Sequence, residues 1–207
     1  APNIQFFLSA GLAVIAPNIR GSSGYGRRYL DLDNKEKRLD SIKDIKQLAL
    51  HIKENDLEID SEKLIIYGGS YGGFAVLSAM TEHPELWSAG VDIVGISNFV
   101  TYMKNTAPWR RKLREVEYGS LEEDLETLKR ISPINQIDHI SAPLFIIHGD
   151  NDERVPVSET IQIYEKLKEK RLDVELLRFT DEGHGITKLE NKIKAFSQLI
   201  KWLKRII

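Results

Sequence analysis

The stretch GGSYGG, residues 68–73, sets Ser70 between Gly68 and Gly72 directly after the apolar run KLIIY. A serine hydroxyl is a weak nucleophile until an adjacent base takes its proton. Glycine-x-serine-x-glycine at the end of a buried strand marks the tight strand-to-helix turn that holds such a hydroxyl above a sheet edge. Glycines flank the serine because side chains there would collide with the neighbouring strand and helix. The helix that follows, YGGFAVLSAM, offers its N-terminal amides to a developing oxyanion. The plain alternative is a glycine-rich turn with a structural serine; placement between a strand and a helix favours the nucleophile.

Nucleophilic serine needs a base, and the base needs an acid to orient it. Five histidines are present. His51 and His83 fall on or at the end of helical stretches and His139 precedes a strand, so these read as surface or capping residues. His148 closes a strand, where its ring is expected to buttress the adjoining loop by hydrogen bonding. His184 lies in the glycine-flanked loop TDEGHGITK after the last strand and opens at the same sheet edge as Ser70. The acid should lie between serine and histidine in chain order. The loop HGDNDERVP supplies Asp150, Asp152 and Glu153, among which spacing alone does not choose; Asp181 is a local competitor that could instead cap the final helix.

These residues must be positioned by elements that the hydropathy pattern outlines. Runs at 12–18, 63–68, 89–95, 143–148 and 173–179 read as buried strands. Ile42, Ile45, Leu48 and Ile52 share a helical face after a Ser41/Asp44 capping-box pattern, and Ile161, Tyr164 and Leu167 mark another. Leu189, Ile193, Phe196, Leu199, Leu203 and Ile206 form one stripe on a last helix. Strands alternating with helices predict an α/β fold with a mostly parallel sheet covered on both faces, whose ligands sit beyond the carboxyl ends of the strands. Residues 98–138 break the rhythm and predict two or three inserted helices within a single domain, 1–207.

Composition narrows the chemistry. The 207-residue chain is 42% hydrophobic, carries a formal charge of -2 and has no cysteine. That excludes thiol catalysis and disulfides, and gives no basic footprint for nucleic acid or anionic membrane. No run of about 20 apolar residues and no basic leader is present, so a cytoplasmic location is expected. A surface rich in lysine and glutamate fits heat adaptation. WRRKLRE reads as the solvated face of a helix, balanced by the acidic LEEDLE. Neither a metal-binding H-E-x-x-H nor a dinucleotide signature occurs, and GSSGYG lacks the lysine of a phosphate loop, so no cofactor is expected.

Together IRGSSGYGRRY, IIYGGSYGGFAVL, ISPINQIDHISAPLFIIHGDNDERVPVSE and EGHG resemble the catalytic domain of the prolyl oligopeptidase family of serine peptidases, particularly its acylaminoacyl-peptidase and dipeptidyl-peptidase-like members. The resemblance runs nearly the whole length. It implies the α/β-hydrolase fold and a triad of Ser70, Asp152 and His184, with Asp150 left as a loop residue. It also implies an oxyanion hole formed by the backbone amide of Tyr71 and the phenol of Tyr25, an apolar substrate pocket that Phe99, Tyr102 and Trp109 could line, and short peptides or acyl-peptides as substrates. Without the resemblance Tyr25 reads as a ring packed in a turn, and the three aromatics serve equally as core.

Two departures accompany it. The family places a β-propeller before this domain, and a central strand ending in H-G-G-P upstream of the residues present here, so an incomplete sheet is expected. The alternatives are therefore a carboxylesterase with the same triad, or an inactive truncated remnant that self-associates through an exposed sheet edge as a homo-oligomer.

Overall fold

The structure, a computed structural model, describes residues 2–55 and 58–207. Four strands, β1 (Ile65–Gly69), β2 (Ala89–Ile93), β3 (Leu144–Gly149) and β4 (Val174–Phe179), pair in the order β1-β2-β3-β4, all in parallel. Parallel neighbours require crossovers, which the helices provide. In chain order these are α1 (Pro2–Ser9), α2 (Arg27–Leu30), α3 (Asp40–Glu54), α4 (Tyr71–Glu82), α5 (Phe99–Asn105), α6 (Pro108–Tyr118), α7 (Leu125–Arg130), α8 (Ser158–Glu169) and α9 (Leu189–Ile206).

Helices cover both faces, as the alternation predicts. Along β3, Leu144 and Ile146 point to a core shared with Phe74, Leu77 and Met80 of α4 and with Ile163 and Leu167 of α8. Phe145 and Ile147 point the other way, onto Phe7 of α1 and Leu199 and Trp202 of α9. This is the two-residue period of a strand buried on both sides. Every residue of α4 from Gly73 to Thr81 is buried, which makes it the central helix.

Three expectations about elements need correction. Residues 12–18 form no strand; Val14 and Ile15 are 38% and 48% exposed. A strand exists only through hydrogen bonds to a neighbour, and among the described residues no strand lies beside this run, since β1 pairs with β2 alone. The Ser41/Asp44 capping box does not form either. Ser41 Oγ donates to the Arg38 carbonyl at 2.8 Å, and Asp44 is occupied by the Arg20 guanidinium and amide. Finally, the stripe of α9 is buried only from Ala195 onward, where the helix meets the sheet; Leu189 and Ile193 are exposed.

Between β2 and β3 the chain forms α5, α6, α7 and a 3-10 run, Pro133–His139. Phe99 of α5 packs on Phe74 at 5.0 Å and on Tyr118 of α6 at 4.9 Å between ring centres. The arginines of WRRKLRE are used locally: Arg111 donates to the Lys104 carbonyl and Arg114 to Glu117.

Candidate active site

Strand β1 ends at Gly69, α4 begins at Tyr71, and Ser70 alone makes the turn with φ 57° and ψ -115°. Positive φ in a residue with a β-carbon costs on the order of 1–3 kcal/mol and persists only where the surroundings enforce it. They do so here: the Ser70 amide donates to the Ile93 carbonyl of β2 at 2.8 Å. A β-carbon on Gly68 would strike the Gly72 carbonyl, so the expected collision at that position is present. Gly72 itself has open space around the place a β-carbon would take, which corrects the expectation for the second glycine. The crowded partner is Gly73, whose side chain would run into Asp92 and the Gly95 backbone.

Loops at the carboxyl ends of β3 and β4 bring two further groups to this turn. His184 Nε2 lies 2.9 Å from Ser70 Oγ, and His184 Nδ1 lies 2.7 Å from Asp152 Oδ2. A carboxylate can only accept, so Nδ1 carries the proton and Nε2 is left to accept from the serine hydroxyl. Asp152 Oδ1 accepts from the amides of Arg154 and Val155 at 2.8 and 2.9 Å, an Asx turn that fixes the carboxylate. Burial opposes its ionisation, but hydrogen bonds from His148, His184 and the two amides outweigh this and hold the carboxyl well below the usual carboxylate range.

Two of the competing acids are engaged elsewhere. Asp150 pairs with Arg178 at 2.7 Å, and Asp181 with Lys188 at 2.6 Å. Glu182, which the sequence reading passed over, ties down the His184 loop. Its carboxylate accepts from the amides of Thr187 and Lys188, the Thr187 hydroxyl and the Asn191 amide at 2.8–3.0 Å. Despite the opposing effect of desolvation, those bonds hold its carboxyl down to about 2.

Tyr71 follows the serine. Its amide stands at the first position of α4, where no carbonyl within the helix can accept from it. Its side chain is pinned: the hydroxyl donates to Asp33 Oδ2 at 2.9 Å, and the ring faces the fully buried Arg38 guanidinium at 5.1 Å. Burial pushes its phenol up to about 12. Tyr25, by contrast, is 58% exposed and packs on Tyr29 at 5.3 Å. It makes no hydrogen bond or ring contact with Ser70, Asp152 or His184 among the described residues.

The three aromatics named for a pocket are not brought together around a cleft. Phe99 and Tyr102 are 0% and 2% exposed in the aromatic core, while Trp109 is 65% exposed under Arg110. Phe99 and Tyr102 thus lie where the alternative reading, plain core, puts them. A cavity of about 380 Å³ instead lies beside the Tyr71 side chain, lined in part by Leu30, Asp33, Leu113, Val116 and Glu117.

Behind the elbow, Asp92 of β2 is completely buried, and among the described residues neither carboxyl oxygen makes a well-formed hydrogen bond. Burial pushes its carboxyl up to about 7. The folded chain therefore holds a proton that the unfolded chain releases at ordinary aspartate pH, so stability falls as pH rises from about 4 to about 7 and then levels off. Asp92→Asn should remove this slope. In urea unfolding, its stability relative to the native sequence should increase by about 3 kcal/mol between about pH 5 and about pH 8. An identical difference at both pH values would show that Asp92 ionises freely in the folded state.

A parallel sheet bearing a strained serine at the end of one strand, with an aspartate and a histidine from loops after two others, defines an α/β-hydrolase fold. The chain belongs to the prolyl oligopeptidase family, whose model matches residues 1–207. It is 36% identical over 201 residues to dipeptidyl aminopeptidase BIII of Pseudoxanthomonas mexicana, a match covering 93% of this chain and 28% of that protein. Among solved structures, acylaminoacyl peptidase of Pyrococcus horikoshii superposes with a TM-score of 0.83 at 25% identity, over 91% of this chain and 31% of that one. An acylaminoacyl peptidase bound to Z-Gly-Gly-Phe-chloromethyl ketone gives a TM-score of 0.83 at 26% identity, with the same coverage, 91% and 31%. This chain thus spans less than a third of the length of these relatives. Among its described residues no helix is long and apolar enough to cross a membrane.

Proposed function

We propose that this chain is a serine peptidase domain that cleaves short peptides or acyl-peptides by acyl transfer to water. The observation that carries the reading is the continuous hydrogen-bonded line from Ser70 Oγ through both nitrogens of His184 to Asp152. His184 takes the Ser70 proton as the oxygen attacks the carbonyl carbon, and Asp152 holds the imidazole tautomer and balances the imidazolium. The carbonyl oxygen becomes an oxyanion that accepts from the Tyr71 amide and the Tyr25 hydroxyl. His184 then returns the proton to the leaving amine as the carbon–nitrogen bond breaks. Water repeats the sequence on the acyl-enzyme and regenerates Ser70. In this reading residues 1–207 act as one catalytic domain and the helical segment 98–138 is its insertion.

Peptide specificity is supported by relatives named as dipeptidyl and acylaminoacyl peptidases and by the peptidyl chloromethyl ketone held by one of them. The test is a panel of dipeptidyl and acyl-aminoacyl anilides beside p-nitrophenyl esters. Turnover of the anilides is expected; turnover of esters alone would make the protein a carboxylesterase. Tyr25 supplies an independent check, because a phenol can donate a single hydrogen bond to an oxyanion. Tyr25→Phe should lower kcat about 100-fold with KM little changed, the loss of one oxyanion donor. Unchanged kcat would leave the Tyr71 amide without this partner.

A further inference from the structure

His148 closes β3 and is fully buried, yet the mechanism above does not use it. Its Nε2 lies 3.0 Å from the Val155 carbonyl, which can only accept, so Nε2 carries a proton. Its Nδ1 lies 2.7 Å from Thr160 Oγ1 at the start of α8 and accepts from that hydroxyl. The ring thereby joins three elements: β3, the acid loop and the first turn of α8. Both backbone polar groups of Val155 are held, its amide donating to Asp152 Oδ1 and its carbonyl accepting from His148. The same Nε2 is 3.5 Å from Asp152 Oδ2, the oxygen that faces His184. Asp152 therefore sits in a turn held at the Val155 carbonyl by this ring, and one residue earlier by the buried Thr106 hydroxyl, which donates to the Arg154 carbonyl at 3.3 Å.

We propose that His148 is a positioning residue for the acid: it holds the 152–155 turn so that Asp152 Oδ2 meets His184 Nδ1, and through them Ser70. The proposal rests on the triad reading given above and deepens it. Hydrogen bonding to a bare turn could be replaced by water only if the ring were accessible, and it is not; an apolar substitute leaves the Val155 carbonyl buried without a donor. Displacement of the carboxylate by about 1 Å is enough to cost on the order of 100-fold in rate.

The experiment uses the whole 207-residue chain, with a fluorophosphonate as probe, and also follows the downfield proton resonance of the His184–Asp152 bond. His148→Leu should reduce the second-order labelling rate constant about 100-fold and erase or broaden the resonance. His148→Gln, whose amide can donate at the Nε2 position, should restore the resonance and bring labelling to within about 5-fold of the native chain. Equal losses in the leucine and glutamine variants, or native behaviour in both, would overturn the proposal. Should His148→Leu fail to fold, Thr160→Val decides: an intermediate loss with a shifted resonance supports the role, and native labelling with an unshifted resonance refutes it. A native chain that shows the resonance but does not label would sink the catalytic reading, and the resonance comparison among the variants would still judge His148.

Discussion

Replacing Ser70 by alanine is expected to abolish covalent labelling by a fluorophosphonate and to lower kcat for any cleaved substrate about a million-fold, while the fold and its unfolding midpoint hold or improve. The magnitude follows from serine hydrolases in which removal of the nucleophile costs as much as removal of the whole triad. Stability does not suffer because the hydroxyl makes one hydrogen bond, to His184 at 2.9 Å, and because the strained turn is enforced by the backbone rather than by that group. The Ser70 amide stays bound to Ile93, and the Gly68–Gly72 contact is untouched. Measuring labelling stoichiometry by intact mass, beside thermal unfolding, separates the two effects. Persistent labelling of the alanine variant would place the reactive group elsewhere and remove Ser70 from the mechanism.

The exchange Asp152→Asn should cost about ten-thousand-fold in kcat, whereas Asp150→Asn should change it less than about 3-fold. An asparagine at position 152 fits the same space, but its amide can donate to His184 Nδ1 and select the tautomer whose Nε2 bears hydrogen, which cannot accept the serine proton; loss of this order is known for that change. Asp150, two residues away, is engaged with Arg178 and, among the described residues, makes no side-chain hydrogen bond to any of the three groups. A comparable loss from both variants would point to a disrupted loop rather than to a specific acid. The carboxyl of Asp152 also has a defined sign in acid. Its folded form titrates below the unfolded one. Its contribution to stability is therefore complete above about pH 4 and is lost only as pH falls through the depressed folded value.

How much of this was legible depends on how local each signal is. The elbow was readable because six consecutive residues, 68–73, specify strand, turn and helix together. His184 was readable because its glycine-flanked loop follows a strand. Selection of Asp152 over Asp150 and Glu153 came only with the family resemblance; the deciding facts, an Asx turn toward residues 154 and 155 and an ion pair drawing Asp150 to Arg178, involve backbone geometry and a partner 28 residues away. Residues 12–18 carried a strand's composition but not a neighbour, and composition cannot report who lies alongside. Phe99 and Tyr102 show the same blindness on a helix, where period tells which residues share a face but not whether that face meets a cleft or a core. Asp92 left one trace, a charged letter within the apolar run AGVDIVG. Its consequence depends on complete burial against Gly73 and Gly95, which only the assembled fold supplies.

The bonds made by Glu182 join the base to the end of the chain. Because the same carboxylate grips the amides of Thr187 and Lys188 and reaches Asn191 in the first turn of α9, residues 182–191 close into a ring, with His184 on its rim. The helix so tied is itself seated on the sheet by Leu199, Trp202 and Leu203. The last helix is thus the anchor point of the loop that carries His184. Local opening at the start of α9 would release Asn191 and with it part of the grip on the loop that carries His184, so the order of that loop depends on a helix turn seven residues beyond it.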